Sequence, residues 1–145
     1  MNKQILSLFL AGLFLLSGLP GTSSAGDVDR SKTMFLRGVF TWWEADPQYQ
    51  LKRVKGQLYM SEAKLKADGQ PYSFKFADAS WSAGQNCGFK SKEEGTHVQL
   101  DKPVGANCNA SYDNFEFTPK ETGVYEFYID FTNESMPMVT VKKKP

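Results

Sequence analysis

The sequence predicts an all-β protein, an immunoglobulin-like β-sandwich of about seven to eight short antiparallel strands. Three observations predict it. Short runs rich in Val, Ile, Phe, Tyr and Thr alternate in polarity with the period of a half-buried strand. Clusters of Gly, Pro, Asn and Asp separate these runs at intervals of roughly 8–12 residues. No window sustains a helical period, and "SEAKLKA" (61–67) is short and alternates like a strand itself.

The first segment stands apart from the fold. Residues 1–25, "MNKQILSLFLAGLFLLSGLPGTSSA", carry Lys3, an apolar run from Ile5 to Leu19, and Ser23 and Ala25 at the −3 and −1 positions of a cut before Gly26. This is the layout of a secretory signal. A membrane span needs roughly 20 apolar residues, which this run does not reach. "LLSGL" has the shape of a lipoprotein box, but Leu19 stands where the lipidated Cys would be. The expectation is a soluble exported protein, periplasmic or extracellular, with no lipid anchor and no membrane span.

Residues 26–32, "GDVDRSK", read as a flexible polar leader, and 33–145 as one domain. "MFLRGVF" (34–40) is the first strand. "PQYQLKRVKGQLYMSEAKL" (47–65) reads as two strands around a Lys55-Gly56-Gln57 turn, and "DGQP" (68–71) turns the chain into "YSFKFA" (72–77). "THVQL" (96–100) is a modest strand and "NFEFTP" (114–119) a better one. "TGVYEFYIDFT" (122–132) alternates most cleanly, with Tyr125, Phe127, Ile129 and Phe131 on one face and Glu126, Tyr128 and Asp130 on the other. "PMVTVKKK" (137–144) closes the domain. Residues 88–113 are the least regular part, a large loop with room for a short hairpin.

Charge and cysteine usage narrow the function classes. The chain has 17 basic and 16 acidic residues, and loss of the signal removes one basic residue, so the exported part is balanced. Such a chain has no electrostatic pull toward nucleic acid or anionic lipid. Cys87 and Cys108 both lie in the exported part, where oxidation is permitted. Their pairing would close a loop of roughly 20 residues and contribute about 3 kcal/mol. A metal site would need more ligands than the chain groups together, and no cofactor is expected. There is one histidine, His97, in an ordinary strand start, and no phosphate loop, HExxH or CxxC. Scattered carboxylates carry no information, so the chain reads as a binding module and not an enzyme.

Aromatic residues in polar settings are what remains. The chain holds 11 Phe, 6 Tyr and 3 Trp. The strand-face Phe and Tyr residues are core, but the tryptophans fall at strand-to-loop transitions. Trp42 and Trp43 precede the "EADP" turn, and Trp81 precedes "SAGQN". A flat indole offers a platform for the apolar face of a sugar ring, with neighbouring polar groups taking the rim hydroxyls.

"FLRGVFTWWEADPQYQL", "YSFKFADASWSAGQNCG" and "TGVYEFYIDFTNESMPMVTV", in that order, resemble the starch- and glycogen-binding modules attached to bacterial pullulanases and α-amylases. More distantly they resemble the glycogen-binding domain of the AMP-activated kinase β subunit. The resemblance runs from about Phe35 to Val141. It implies a bacterial origin and an α-glucan platform of Trp43, Lys75 and Trp81. Asn86 stands where a hydroxyl-binding amide would fit, and Trp42 where it would crowd or extend the site. The chain departs from the family in three places: "FTWW" lacks the usual Asn before the first Trp, Cys87 replaces an aromatic, and Met136 or Pro137 stands where the kinase-type domain has a sugar-contacting Asn. The implied function is non-catalytic binding of starch- or glycogen-like oligosaccharide. The alternative is an interaction domain of the same fold, binding a secreted glycosidase or another envelope protein without a sugar ligand.

Overall fold

The structure, a computed structural model, describes residues 27–145. The signal read at 1–25 lies outside the described residues, as does Gly26. Among the described residues nine strands form: β1 (Met34–Gly38), β2 (Lys52–Lys55), β3 (Leu58–Leu65), β4 (Tyr72–Asp78), β5 (Asn86–Phe89), β6 (Val104–Asn107), β7 (Phe115–Phe117), β8 (Gly123–Asp130) and β9 (Met138–Lys143). Every strand pair is antiparallel. The one α-helical turn among the described residues is α1 (Lys92–Gly95), and no helix there is long and apolar enough to cross a membrane.

The strands run in the order β1-β4-β5-β6-β9-β8-β3-β2, with β7 paired to β4. The sheet curls into two layers. One holds β1, β4, β5 and β7, and the other holds β2, β3, β8, β9 and β6, with the β5–β6 pair joining them. The all-β sandwich expected from the sequence is therefore the observed fold, with the hairpin inside 88–113 formed by β5 and β6.

Alternation explains the regular layer. Strand β8 buries Tyr125, Phe127 and Ile129, followed by Phe131, and pairs with β3 along its whole length from Leu58↔Asp130 to Leu65↔Gly123. The β2–β3 hairpin turns at Gly56, whose φ of 51° suits a residue without Cβ. The layers meet through aromatic edges: the Phe74 ring lies 4.9 Å from Phe127, and Phe117 lies 5.2 Å from Tyr125.

Two segments differ from expectation. "THVQL" forms no strand. Val98 bridges to Phe117 in one layer and Leu100 to Val141 in the other, so the segment crosses between layers and never follows a single neighbour. Residues 27–32, read as a loose leader, are tied down. Arg30 N donates to the Tyr59 hydroxyl (3.2 Å), the Arg30 guanidinium lies 3.9 Å over Phe131, and Asp27 pairs with Arg53 at 2.6 Å.

Candidate functional site

Strand β4 is buried on both faces. Phe74 and Phe76 enter the core, whereas Lys75 and Ala77 face outward and are nevertheless covered. Register places the outward neighbours: Arg37 of β1 lies opposite Lys75, and Asn86 of β5 lies opposite Ala77. Directly opposed residues share a face of the sheet. Arg37, Lys75 and Asn86 therefore make a polar floor on the outside of this layer, and three loops rise around it.

The first wall is the segment after β1. A short 3-10 helix, Val39–Thr41, is tied back by Thr41, whose Oγ1 accepts from Gly38 N and donates to Gly38 O, each at 3.0 Å. Trp43 N then donates to Gly38 O at 2.9 Å. Trp42 and Trp43 both take the left-handed conformation, with φ of 53° and 61°. The second wall is the loop after β4. Asp78 Oδ1 accepts from Ser82 N (2.9 Å), and Gly84 N donates to Asn109 Oδ1 (2.8 Å). Trp81, with φ 55°, is the third left-handed tryptophan. That conformation costs a residue bearing a side chain roughly 1–2 kcal/mol. Such strain concentrates where a loop must aim a side chain.

Arg37 joins the two walls. It is 5% exposed, donates through Nε and Nη2 to Trp43 O and through Nη1 to Asp78 O (2.7 Å), and lies 3.5 Å from the Trp81 ring centroid. Burial pulls its guanidinium below the usual range, with Glu44 and Asp78 opposing. Nothing in "FLRGVF" marked Arg37 as more than an outward strand residue. The signal was its alternation with Leu36, which places it on the same face as whatever the next strand turns outward.

The third wall is the segment from Cys108 to Asn114. The Cys87–Cys108 disulfide fixes its start, on the core side of β5. Asn86 N donates to Cys108 O, and Ala110 N returns a bond to Asn86 O, each at 3.1 Å. Phe89 N donates to Asp113 O at 3.0 Å. Gly88 permits that approach, because a Cβ there would stand 1.7 Å from Asp113 O.

Lys75 holds the same wall from below. It is 2% exposed, and its Nζ donates to Ala110 O at 2.6 Å. Burial pushes its ammonium down to about 8, with Asp113 partly opposing. The resemblance implied that Lys75 is part of the α-glucan platform; in the structure its ammonium is bonded to the protein's own backbone. Asn86 Oδ1 is buried without a hydrogen-bond partner, an uncompensated acceptor at the edge of the cleft.

These walls enclose a cleft of about 430 Å³ lined by Trp43, Lys75, Trp81, Asn86, Tyr112 and the polar side chains of Ser111 and Asn114. Four of the five residues expected at a site thus come together. Trp42 does not line the cleft; it stands 88% exposed beside it. Tyr112 was missed, because it lies in an irregular loop with no alternation to single it out. His97 is exposed next to α1, away from this cleft.

The sequence matches no family model and no curated protein. Among solved structures, the chain is similar to the ligand-induced structure of AmyP-SBD, a starch-binding domain of AmyP. The similarity covers 100% of this chain and 97% of that one, with a TM-score of 0.58 and 18% identity. At that identity the likeness establishes a shared fold.

Proposed function

We propose that this chain is an exported, non-catalytic module that binds α-glucan, a starch- or glycogen-like oligosaccharide, by stacking sugar rings on Trp43 and Trp81. One observation carries the reading: two indoles from different loops, each in a left-handed conformation, border a single cleft over a polar floor. Two platforms set by separate loops suit a chain that bends, as an α-1,4-linked glucan does. Ser111, Asn114 and Asn86 supply amide and hydroxyl groups for the rim hydroxyls. Stacking with solvent-competed hydrogen bonds gives modest affinity, with Kd on the order of 10 μM to 1 mM. The fold shared with AmyP-SBD supports the same reading.

Retention of the exported chain on insoluble starch, with cellulose as control, tests it. The expected result is retention on starch alone, release by maltooligosaccharide, and at least a tenfold loss of binding in Trp81→Ala. Unchanged starch binding in that variant would remove the site. The second reading, an interaction module for a secreted glycosidase or envelope protein, draws on the exposed Trp42 and on Val39, 44% exposed close by in sequence. Retention on neither polysaccharide would favour it.

A further inference from the structure

Tyr112 is 91% exposed, yet the loop that carries it is pinned at both flanks. Ala110 is held by the Lys75 ammonium and by Asn86, and Asp113 by Phe89 N. Only Ser111 and Tyr112 project between these anchors, and Asn114 N closes the turn onto Tyr112 O at 3.1 Å. A phenol ring presented to water by an ordered loop is unlike a side chain left at a frayed end. A buried polar group is committed to holding it there: Lys75 lies beneath the loop, its Nζ bonded to Ala110 O and its ammonium depressed by burial. The ring borders the same cleft as Trp43 and Trp81, from a third and separate segment of chain.

We propose that Tyr112 is a third stacking platform and that it sets the cleft's preference for glucan chain length; this rests on the α-glucan reading above. Two indoles are served by a short ligand. A platform on the opposing loop adds contact only for a chain that continues past them and turns across the cleft. A disaccharide engages the indoles and leaves the tyrosine idle. A longer α-glucan reaches all three rings. Arg37 and Lys75 are then positioning residues, one holding the indole walls together and the other supporting the tyrosine wall.

Titration of the protein with maltose and with maltoheptaose, followed by calorimetry and by tryptophan fluorescence, tests this in the wild type, Tyr112→Ala, Tyr112→Phe and Trp81→Ala. Tyr112→Ala is expected to weaken maltoheptaose by about five- to tenfold and to change maltose by less than twofold. Tyr112→Phe keeps the ring and is expected to match the wild type. Trp81→Ala is expected to weaken both ligands. Maltoheptaose affinity unchanged in Tyr112→Ala, or both ligands weakened equally, would overturn the tyrosine's role while the glucan site stands. Binding of neither sugar by the wild type would overturn the α-glucan reading itself, and this inference with it. Tyr112 is exposed, so its variants keep the core intact, and unchanged circular dichroism checks this.

Discussion

The two faces of the β1–β4–β5 layer solve the same problem, burial, by opposite means. The inner face carries Leu36, Phe74, Phe76 and Cys87, which ask only for close packing. The outer face carries Arg37, Lys75 and Asn86, buried almost as deeply; specific carbonyls answer the two cations, and Asn86 Oδ1 is left without a partner. Arg37 and Lys75 are two cations directly opposite each other in register, and backbone carbonyls meet both. Opposed like charges destabilise a strand pair. The inner face is there for stability, and the outer face accepts a cost in stability to fix three loops. Strain leans the same way: of the four non-glycine residues in left-handed conformation among the described residues, three are the tryptophans of loops on the outer side and the fourth is Asp101, whereas the β3–β8 ladder runs its full length without a break.

Truncation of the inner face gives the largest expected effect. Phe74 is fully buried, with Phe115 at 5.3 Å and Phe127 at 4.9 Å. Phe74→Ala is expected to cost about 3–5 kcal/mol, measured as a shift of the urea midpoint at constant slope. A loss below 1 kcal/mol would mean that the inner face is not the core.

The outer face should show itself in pH. The folded Lys75 releases its proton near pH 8, whereas the unfolded lysine keeps it to about 10.5. Between these values the unfolded chain binds more protons, so stability rises with pH across that window, by up to about 3 kcal/mol from this residue. Below pH 8 both states are protonated and the cost of burying the charge stands in full. Lys75→Met removes the titration, so the difference between wild type and variant should change across pH 8–10.5 and be flat below it. A difference constant from pH 6 to 11 would place the ammonium in solvent.

The smallest effect sharpens the division within the outer side itself. Trp42 shares the left-handed conformation of Trp43 but stands outside the cleft. Trp42→Gly relieves the strain and loses little buried surface. It is expected to leave stability unchanged or raised by up to about 1 kcal/mol, with maltoheptaose binding within twofold of the wild type. A tenfold loss of binding would show that the ligand extends over Trp42.

Sequence reasoning reached the inner face more fully than the outer. Tyr125, Phe127, Ile129 and Phe131 announce their strand by alternation, and Gly56 its turn, because both signals are local. The approach of Trp43, Lys75, Trp81 and Asn86 to one cleft was legible through ordered motifs and not through any single one. Arg37 and Tyr112 were not legible. The significance of Arg37 depends on which carbonyls two distant loops bring to it, and that of Tyr112 on a lysine and a disulfide holding its flanks. "THVQL" misled for a related reason: its alternation is real, but its partners lie in two different layers.

The order of the strands has a consequence for crowding. β1 and β2 end the path, and open edges of that kind recruit other chains. Here the segment before β2 reaches back to β1 through the Phe35↔Gln50 bridge and the bond from Leu51 N to Met34 O, 2.9 Å long. The two ends of the sheet therefore meet, and the free backbone left at the seam is short. Many copies can then lie side by side at high concentration without templating strand addition between them.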